Sequence, residues 1–458
     1  MRTGARGFLA ALAVAVMVIA LATGASAATN SAVIDVKSVT GVPVPVSFTM
    51  DQIREAIGVD FAANWDSLKV EDSAGNLIPF QLDDVDLSGG VSRVDELAFL
   101  AAGPVKIIVS DEAPESKPSF DAAFEVEPAG QGGFVVRALD GLLTANVSKY
   151  ATVDLVSFKG VEHKYARDIG MIRYAGFPYS TYWYDQNLDR HEEKTTFEEP
   201  VRIVKSAALP AGPVRATVVA QTASDLFPGL RQSIVVSIYK TGEVRVNNRL
   251  VTAGYSDLTK LFTMCGGVMG DVEDARHILP VFRWTDWADE LGMTSEEYWA
   301  ELGAITRVDG QPYITFADSR GPKPAWWGAS YLFCSPERWR ANFSAGLKVG
   351  VAECLMDVPD VPADLVDRLK MDHWHLEGEW RTGPFRWIAG EIVDFRAKSG
   401  IKVDIIPDMN EGDWPVHMIP GDAVERVNYY LLYEAADVPS AIRYLENRYA
   451  ELAGVAIK

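Results

Sequence analysis

Ser233-Ile-Val-Val-Ser-Ile-Tyr239, Lys240-Thr241-Gly242 and Glu243-Val-Arg-Val-Asn-Asn-Arg-Leu250 decide the fold class. Two runs rich in Val and Ile flank three residues that include a glycine, which is the pattern of an antiparallel hairpin. Outward from it, Gly133–Ala138, Val201–Ala207 and Val214–Gln221 have the same character, with few helical stretches between them. Long antiparallel strands must each bury a face, so they are expected to stack as sheets. Further strands are expected at Tyr313–Ala317, Ser330–Cys334, Gly346–Glu353 and Met371–Trp380.

Before this region the strands are shorter: Ala32–Val36, Ser67–Val70 and Val105–Val109, broken by turn residues, read as a small β-sandwich with one helix at Met50–Ile57. Pro114 and Pro118 among charges make Ser110–Ser119 a linker. Trp284–Gly303 carries Trp287, Leu291, Tyr298 and Leu302 at helical spacing and reads as an inserted helical segment, while Val438–Leu452, with Pro439 near its start and Gly454 beyond its end, reads as a closing helix. The expected organisation is a signal peptide over 1–27, a β-sandwich domain over 28–118, and a larger antiparallel domain over 119–458 with its insertion near 284–303.

The signal peptide rests on Arg2 and Arg6, an apolar run from Phe8 to Leu21, and the small-residue stretch ending in Ala25-Ser26-Ala27. The competing reading, an uncleaved anchor, requires about 20 apolar residues, more than this run offers. The protein is therefore expected to be secreted or periplasmic, with no membrane span once the signal is removed. A charge of -20, from 43 Lys and Arg against 63 Asp and Glu, gives no basic stripe and makes nucleic acid an unsuitable partner. It leaves room for one arginine-lined subsite holding a single uronate. Cys265, Cys334 and Cys354 lack metal-ligand spacing; a Cys334–Cys354 bridge and three inert thiols remain alternatives.

Four constellations carry chemistry. Asp84, Asp86, Ser88, Gly89 and Asp95 stand at positions 1, 3, 5, 6 and 12 of a calcium-loop pattern, with a structural Ca2+ as the ion; the alternative is an acidic turn between strands. In Met371–Arg381 a strand period of two places His373, His375, Glu377, Glu379 and Arg381 on one face, suited to acid/base chemistry or to metal binding, or else forming cross-strand ion pairs. The stretch with Tyr179, Tyr182, Trp183, Tyr184, Arg190 and His191 fits no period and reads as a long loop. Its aromatics suit stacking on sugar faces, and its ionisable residues suit catalysis, unless the rings are buried between domains. Trp326, Trp327 and Trp414 extend the sugar-facing set. No serine-hydrolase elbow, zincin helix, phosphate loop or dinucleotide fingerprint occurs, so no organic cofactor is expected.

Val70-Glu-Asp-Ser-Ala-Gly-Asn-Leu-Ile-Pro79-Phe-Gln81-Leu-Asp-Asp84-Val-Asp86, running on to Asp95-Glu96-Leu-Ala-Phe99, resembles the N-terminal segment of secreted domains of unknown function found near polysaccharide-degradation genes. Leu209-Pro-Ala-Gly-Pro213-Val-Arg215-Ala and the strands after it resemble the supersandwich of galactose-mutarotase-like proteins. The resemblance implies a mainly β chain, an N-terminal sandwich followed by a large antiparallel supersandwich, in an architecture shared by lyases, hydrolases, epimerases and binders. The function expected is degradation of a polysaccharide or oligosaccharide by β-elimination, with a base such as Tyr or His and a cation for the uronate. Hydrolysis by a carboxylate pair and non-catalytic glycan binding are the alternatives.

Overall fold

The computed structural model describes residues 28–165, 173–175, 181–184, 190–193, 201–225, 227–258, 260–262, 268–269, 275–280, 292–301, 303–316, 339–356, 390–393, 403–406 and 416–457. The chain is mainly β and divides into two compact units, residues up to Asp121 together with Ala450–Lys458, and Ala122–Tyr449. Among the described residues no helix is long and apolar enough to cross a membrane.

The first unit has two antiparallel sheets. One runs Asn64–Asp72, Val105–Ser110, Thr29–Asp35, Ala456–Ile457, and the other Val44–Thr49, Glu96–Ala101, Phe80–Asp83. Alternating apolar residues such as Ile34, Val46, Val70, Phe99 and Ile107 are buried and form its core. The helix Met50–Ile57 starts where the chain predicts it: Thr49 and Gln52 make a reciprocal capping box, and Gly58, at φ 106, ends it. The C-terminal strand joins this unit from the far end of the chain. Ile34 pairs with Ile457, and the buried Glu451 carboxylate accepts the Val39 and Thr40 N–H groups and the Thr40 hydroxyl.

In the second unit a ten-stranded antiparallel sheet is the larger layer. Its order is Val201–Ala208, Arg215–Ser224, Leu230–Tyr239, Glu243–Thr252, Ala423–Glu434, Val349–Leu355, Trp339–Ser344, Ala275–Leu279, Gln311–Phe316, Ile305–Val308. The predicted hairpin closes through Lys240–Gly242, with Ile238 facing Val244. One face packs on a six-stranded sheet whose strands include Phe124–Pro128, Phe134–Ala138, Leu143–Val147 and Val153–Phe158. The shared core is apolar, with Val136, Ala145 and Val156 meeting Val218, Ile234, Val236 and Val246. The opposite face receives the helix Val438–Ala453, where the fully buried Arg448 meets Glu243 and Tyr444 stacks on Tyr433 at 5.5 Å.

One expectation changes and two are settled in part. The stretch read as a long loop contains two paired strands, Thr181–Tyr184 and Arg190–Glu193, because Thr, Tyr and Trp favour extended backbone even without apolar alternation. Cys354 is a buried free thiol, so the Cys334–Cys354 bridge is not formed; Cys265 and Cys334 lie outside the described residues. Of the helical insertion, Ser295–Glu301 is helical, capped by Thr294, whose hydroxyl accepts the Glu297 N–H at 3.2 Å; residues 284–291 lie outside the described residues.

Candidate functional site

The sandwich face of the large sheet changes character along one line. On five neighbouring strands the residues packed against the smaller sheet are apolar: Ala220, Ile234, Val246, Val351, and the rings and branches of Tyr430 and Leu432. One further step of the same alternation brings Thr222, Gln232, Asn248, Glu353 and Asn428, each no more than 4% exposed. Five strands making the same switch is a property of the sheet and not of any one strand. In register, Arg426 stands opposite Asn248, Arg340 opposite Glu353, and His277 opposite Asn342.

Buried polar groups need partners, because an unpaired one costs about 1–3 kcal/mol. Gln232 donates to Asn248 Oδ1 at 2.9 Å, and the Tyr430 hydroxyl and Asn428 Nδ2 both donate to Glu353 Oε1, at 3.1 and 3.3 Å. Thr222 Oγ1 and Asn428 Oδ1 have no hydrogen-bond partner among the described residues. A row of amides, hydroxyls and one carboxylate, partly self-satisfied and partly open, is suited to a polar ligand that brings its own donors.

The sequence reading did not identify this row. Asn248 and Gln232 interrupt otherwise apolar alternations, a signal visible in the sequence, but their coming together depends on register among strands from 215 to 434.

Of the expected catalytic and sugar-binding residues, Tyr182, Trp183 and Tyr184 occupy one strand of the short hairpin. They stand opposite Glu192, His191 and Arg190 in register, so each aromatic residue is paired with an ionisable one across the ladder. Tyr179, Trp326, Trp327, Trp414, His373, His375, Glu377, Glu379 and Arg381 lie outside the described residues.

The Asp84 loop brings three of its four expected ligands together. Side-chain oxygens of Asp84, Asp86 and Asp95 lie within 4.8 Å of one another. Asp84 accepts the Ser88 and Gly89 N–H groups at 2.9 and 2.8 Å, and Asp95 accepts those of Val85 and Ser92 at 3.1 and 2.7 Å. Ser88 gives its hydroxyl to the Gly90 carbonyl at 3.1 Å. Burial pushes the Asp95 carboxyl up, against the pull of the Ser92 amide, and the charges of Asp86 and Asp84 push the same way. Asp86 is held below the usual carboxylate range: burial opposes this, but hydrogen bonds from Ser88 and Ser92 outweigh it. Three crowded carboxylate oxygens suit a hard cation such as calcium.

No family model matches the chain, and no curated protein does. Among solved structures it is similar to a galactose 1-epimerase from Lactobacillus acidophilus, at 10% identity over 69% of this chain and 100% of that one, with a TM-score of 0.32. An aldose epimerase homologue from C. elegans gives 11% identity over 69% and 100%, with a TM-score of 0.32. A TPR-domain containing protein from Parabacteroides distasonis gives 9% identity over 88% and 57%, with a TM-score of 0.33.

Proposed function

We propose that this is an exported carbohydrate-active protein that lays a glycan along the polar row of its large sheet and cleaves it by β-elimination beside a uronate. The observation that carries the reading is the switch of five neighbouring strands from apolar to polar residues along a line oblique to the strands. A glycan matches such a row because its hydroxyls donate and accept at regular intervals, so amides and carboxylates bind it without a net charge requirement.

Elimination needs a group that takes the proton next to the carboxylate and a donor or cation that holds the charge developing on it. Glu353 can take that proton by way of the Tyr430 hydroxyl, which passes its own proton to the carboxylate as it receives one, and the Asn428 amide beside it is the donor. The Tyr182–Tyr184 strand, with His191 and Arg190 opposite, and the His373–Arg381 segment remain the other bearers of chemistry in this reading.

The test is a panel of polysaccharides followed by two signals at once. Elimination produces reducing ends together with the ultraviolet absorbance of an unsaturated uronate. Reducing ends alone would mean hydrolysis and end the elimination reading, while retention without turnover would mean a binding protein. Tyr430→Phe should keep the fold and lower turnover by roughly 10²-fold or more, as loss of a proton-transfer group does. Undiminished turnover in that variant takes the chemistry off the row.

The Asp84 loop belongs to the same proposal as a structural calcium site that stabilises the first unit. Its affinity should fall near the 10⁻⁴ to 10⁻³ M typical of extracellular modules, roughly. Millimolar calcium should then raise the melting temperature relative to chelator. The ion needs ionised carboxylates, and burial raises that of Asp95. The gain should therefore be complete at neutral pH and fade on acidification through the raised Asp95 pKa, earlier than ordinary aspartates titrate. An unmoved melting temperature at neutral pH reduces the loop to an acidic turn.

A further inference from the structure

We propose that Asn428 reads a free hydroxyl on the bound glycan while Thr222 anchors the glycan further along the row, so the protein admits sugar units that carry no ester or ether at that hydroxyl. The proposal rests on the row being the glycan site and adds which units it accepts.

Asn428 and Thr222 are 4% and 1% exposed, yet Asn428 Oδ1 and Thr222 Oγ1 have no hydrogen-bond partner among the described residues. Alternation puts both on the face that carries the row. Asn428 stands two residues before Tyr430 and Thr222 two residues after Ala220, and both of those neighbours belong to the sandwich core. A buried polar atom left unpaired by the fold costs stability, so it calls for a partner from outside the protein.

Chemistry fixes which way the Asn428 amide is turned. Its nitrogen donates to Glu353 Oε1 at 3.3 Å, and the Tyr430 hydroxyl donates to the same oxygen at 3.1 Å. The reverse orientation would set a carbonyl oxygen against an ionised carboxylate, which has no hydrogen to give. Oδ1 is therefore held as an acceptor that only a donor can satisfy. A sugar hydroxyl is such a donor, whereas an acetyl ester or methyl ether at the same oxygen has lost the hydrogen and adds bulk. A site that pairs with a hydroxyl strongly rejects the analogue lacking it, because its own polar group is then left unpaired. Thr222 differs in kind. Its hydroxyl both donates and accepts, so it holds a hydroxyl or an ether oxygen alike and anchors without selecting.

The two groups are too far apart for one sugar. Thr222 is level with Gln232, Leu250 and Val424 on successive strands, and Asn428 lies four residues beyond Val424. Three strand steps and four residues amount to about 20 Å, at roughly 4.8 Å per strand and 3.4 Å per residue. An extended oligosaccharide covers that span, and Gln232 and Asn248, bonded to each other at 2.9 Å, lie between its ends. An order of reactions follows. An esterified polysaccharide must first lose its acyl groups to an esterase-class hydrolysis, in which water is consumed and a carboxylic acid and the free hydroxyl are released.

The test uses alginate, polygalacturonate and xylan, each chemically O-acetylated and each after cold alkaline deacetylation, by affinity electrophoresis and calorimetry with the full chain. At least one polymer should bind about 10-fold or more tightly in its deacetylated form. Asn428→Ala should weaken the deacetylated polymer and bring the two forms together, because the acceptor is gone and space for the ester is made. Thr222→Val, of the same shape without the hydroxyl, should weaken both forms alike, by a factor that grows with oligomer length. That variant should also melt no lower than the parent, since in the free protein it removes an unpaired buried atom.

Equal binding of acetylated and deacetylated forms, or a preference that survives in Asn428→Ala, overturns the hydroxyl reading while the glycan row stands. A Thr222→Val variant that melts clearly lower shows its hydroxyl to be paired within the protein and removes the anchor. Binding to none of the polymers removes the glycan reading itself and this one with it. If Asn428→Ala does not fold, Asn428→Ser, which keeps a donor for Glu353 and lacks the amide oxygen, decides.

Discussion

Arg448→Met should lower the unfolding free energy by about 3–5 kcal/mol, the cost of leaving a buried charge without its partner. Arg448 is fully buried on the C-terminal helix, and Glu243, 2% exposed, is buried at the start of its strand. The guanidinium sends both Nε, at 3.0 Å, and Nη2 to the same oxygen, Glu243 Oε1. Glu243 Oε2 has no partner among the described residues, so removing the arginine leaves the whole carboxylate without compensation.

The same reasoning predicts an asymmetry. The double change Arg448→Met with Glu243→Leu should recover most of the loss, because a buried ion pair and an apolar pair of similar volume differ little in net stability. Urea unfolding of the two single variants and the double variant closes the cycle. Single losses under about 1 kcal/mol would mean that water reaches the pair.

Gly350→Ala should cost about 3 kcal/mol, the upper end of what overpacking a filled core does. Gly350 stands between Phe343 and Tyr433 in register, and those rings stack over it at 6.2 Å. An added Cβ would lie 2.3 Å from Tyr433 Cζ, 2.4 Å from its hydroxyl oxygen and 2.7 Å from the Asn342 carbonyl. Tyr433 has nowhere to retreat, because Tyr444 lies on it and its hydroxyl donates to Asn342 O at 3.3 Å. The glycine is required by the ring above it and not by its own backbone angles, an aromatic cover over a strand glycine. Tyr433→Leu should restore part of the loss in the Gly350→Ala background. If thermal unfolding shows Gly350→Ala as stable as the parent, the ring is not packed there.

How much of this was legible beforehand follows from the range of each signal. The helix at Met50–Ile57 and the Lys240–Gly242 hairpin are written in adjacent residues, a capping box and a tight turn, and both form where they are read. The Asp84 loop is equally local, and three of its carboxylates do converge. The Thr181–Tyr184 strand hides because its residues are aromatic on both faces, so a search for alternation passes over it. The polar row is hidden for a different reason. Thr222, Gln232, Asn248, Glu353 and Asn428 are each one unremarked polar residue in its strand, and only pairing between distant segments lines them up.

The pairing of Ile34 with Ile457, and of the Thr40 turn with Glu451, sets an order of assembly. Synthesis runs from the first residue to the last, so the sheet containing Thr29–Asp35 waits with one edge open until more than 400 further residues have been made. An open strand edge is a template for foreign pairing. The earliest strands are therefore the longest to stand uncovered, and a chain cut short by even a handful of residues would keep that edge unclosed.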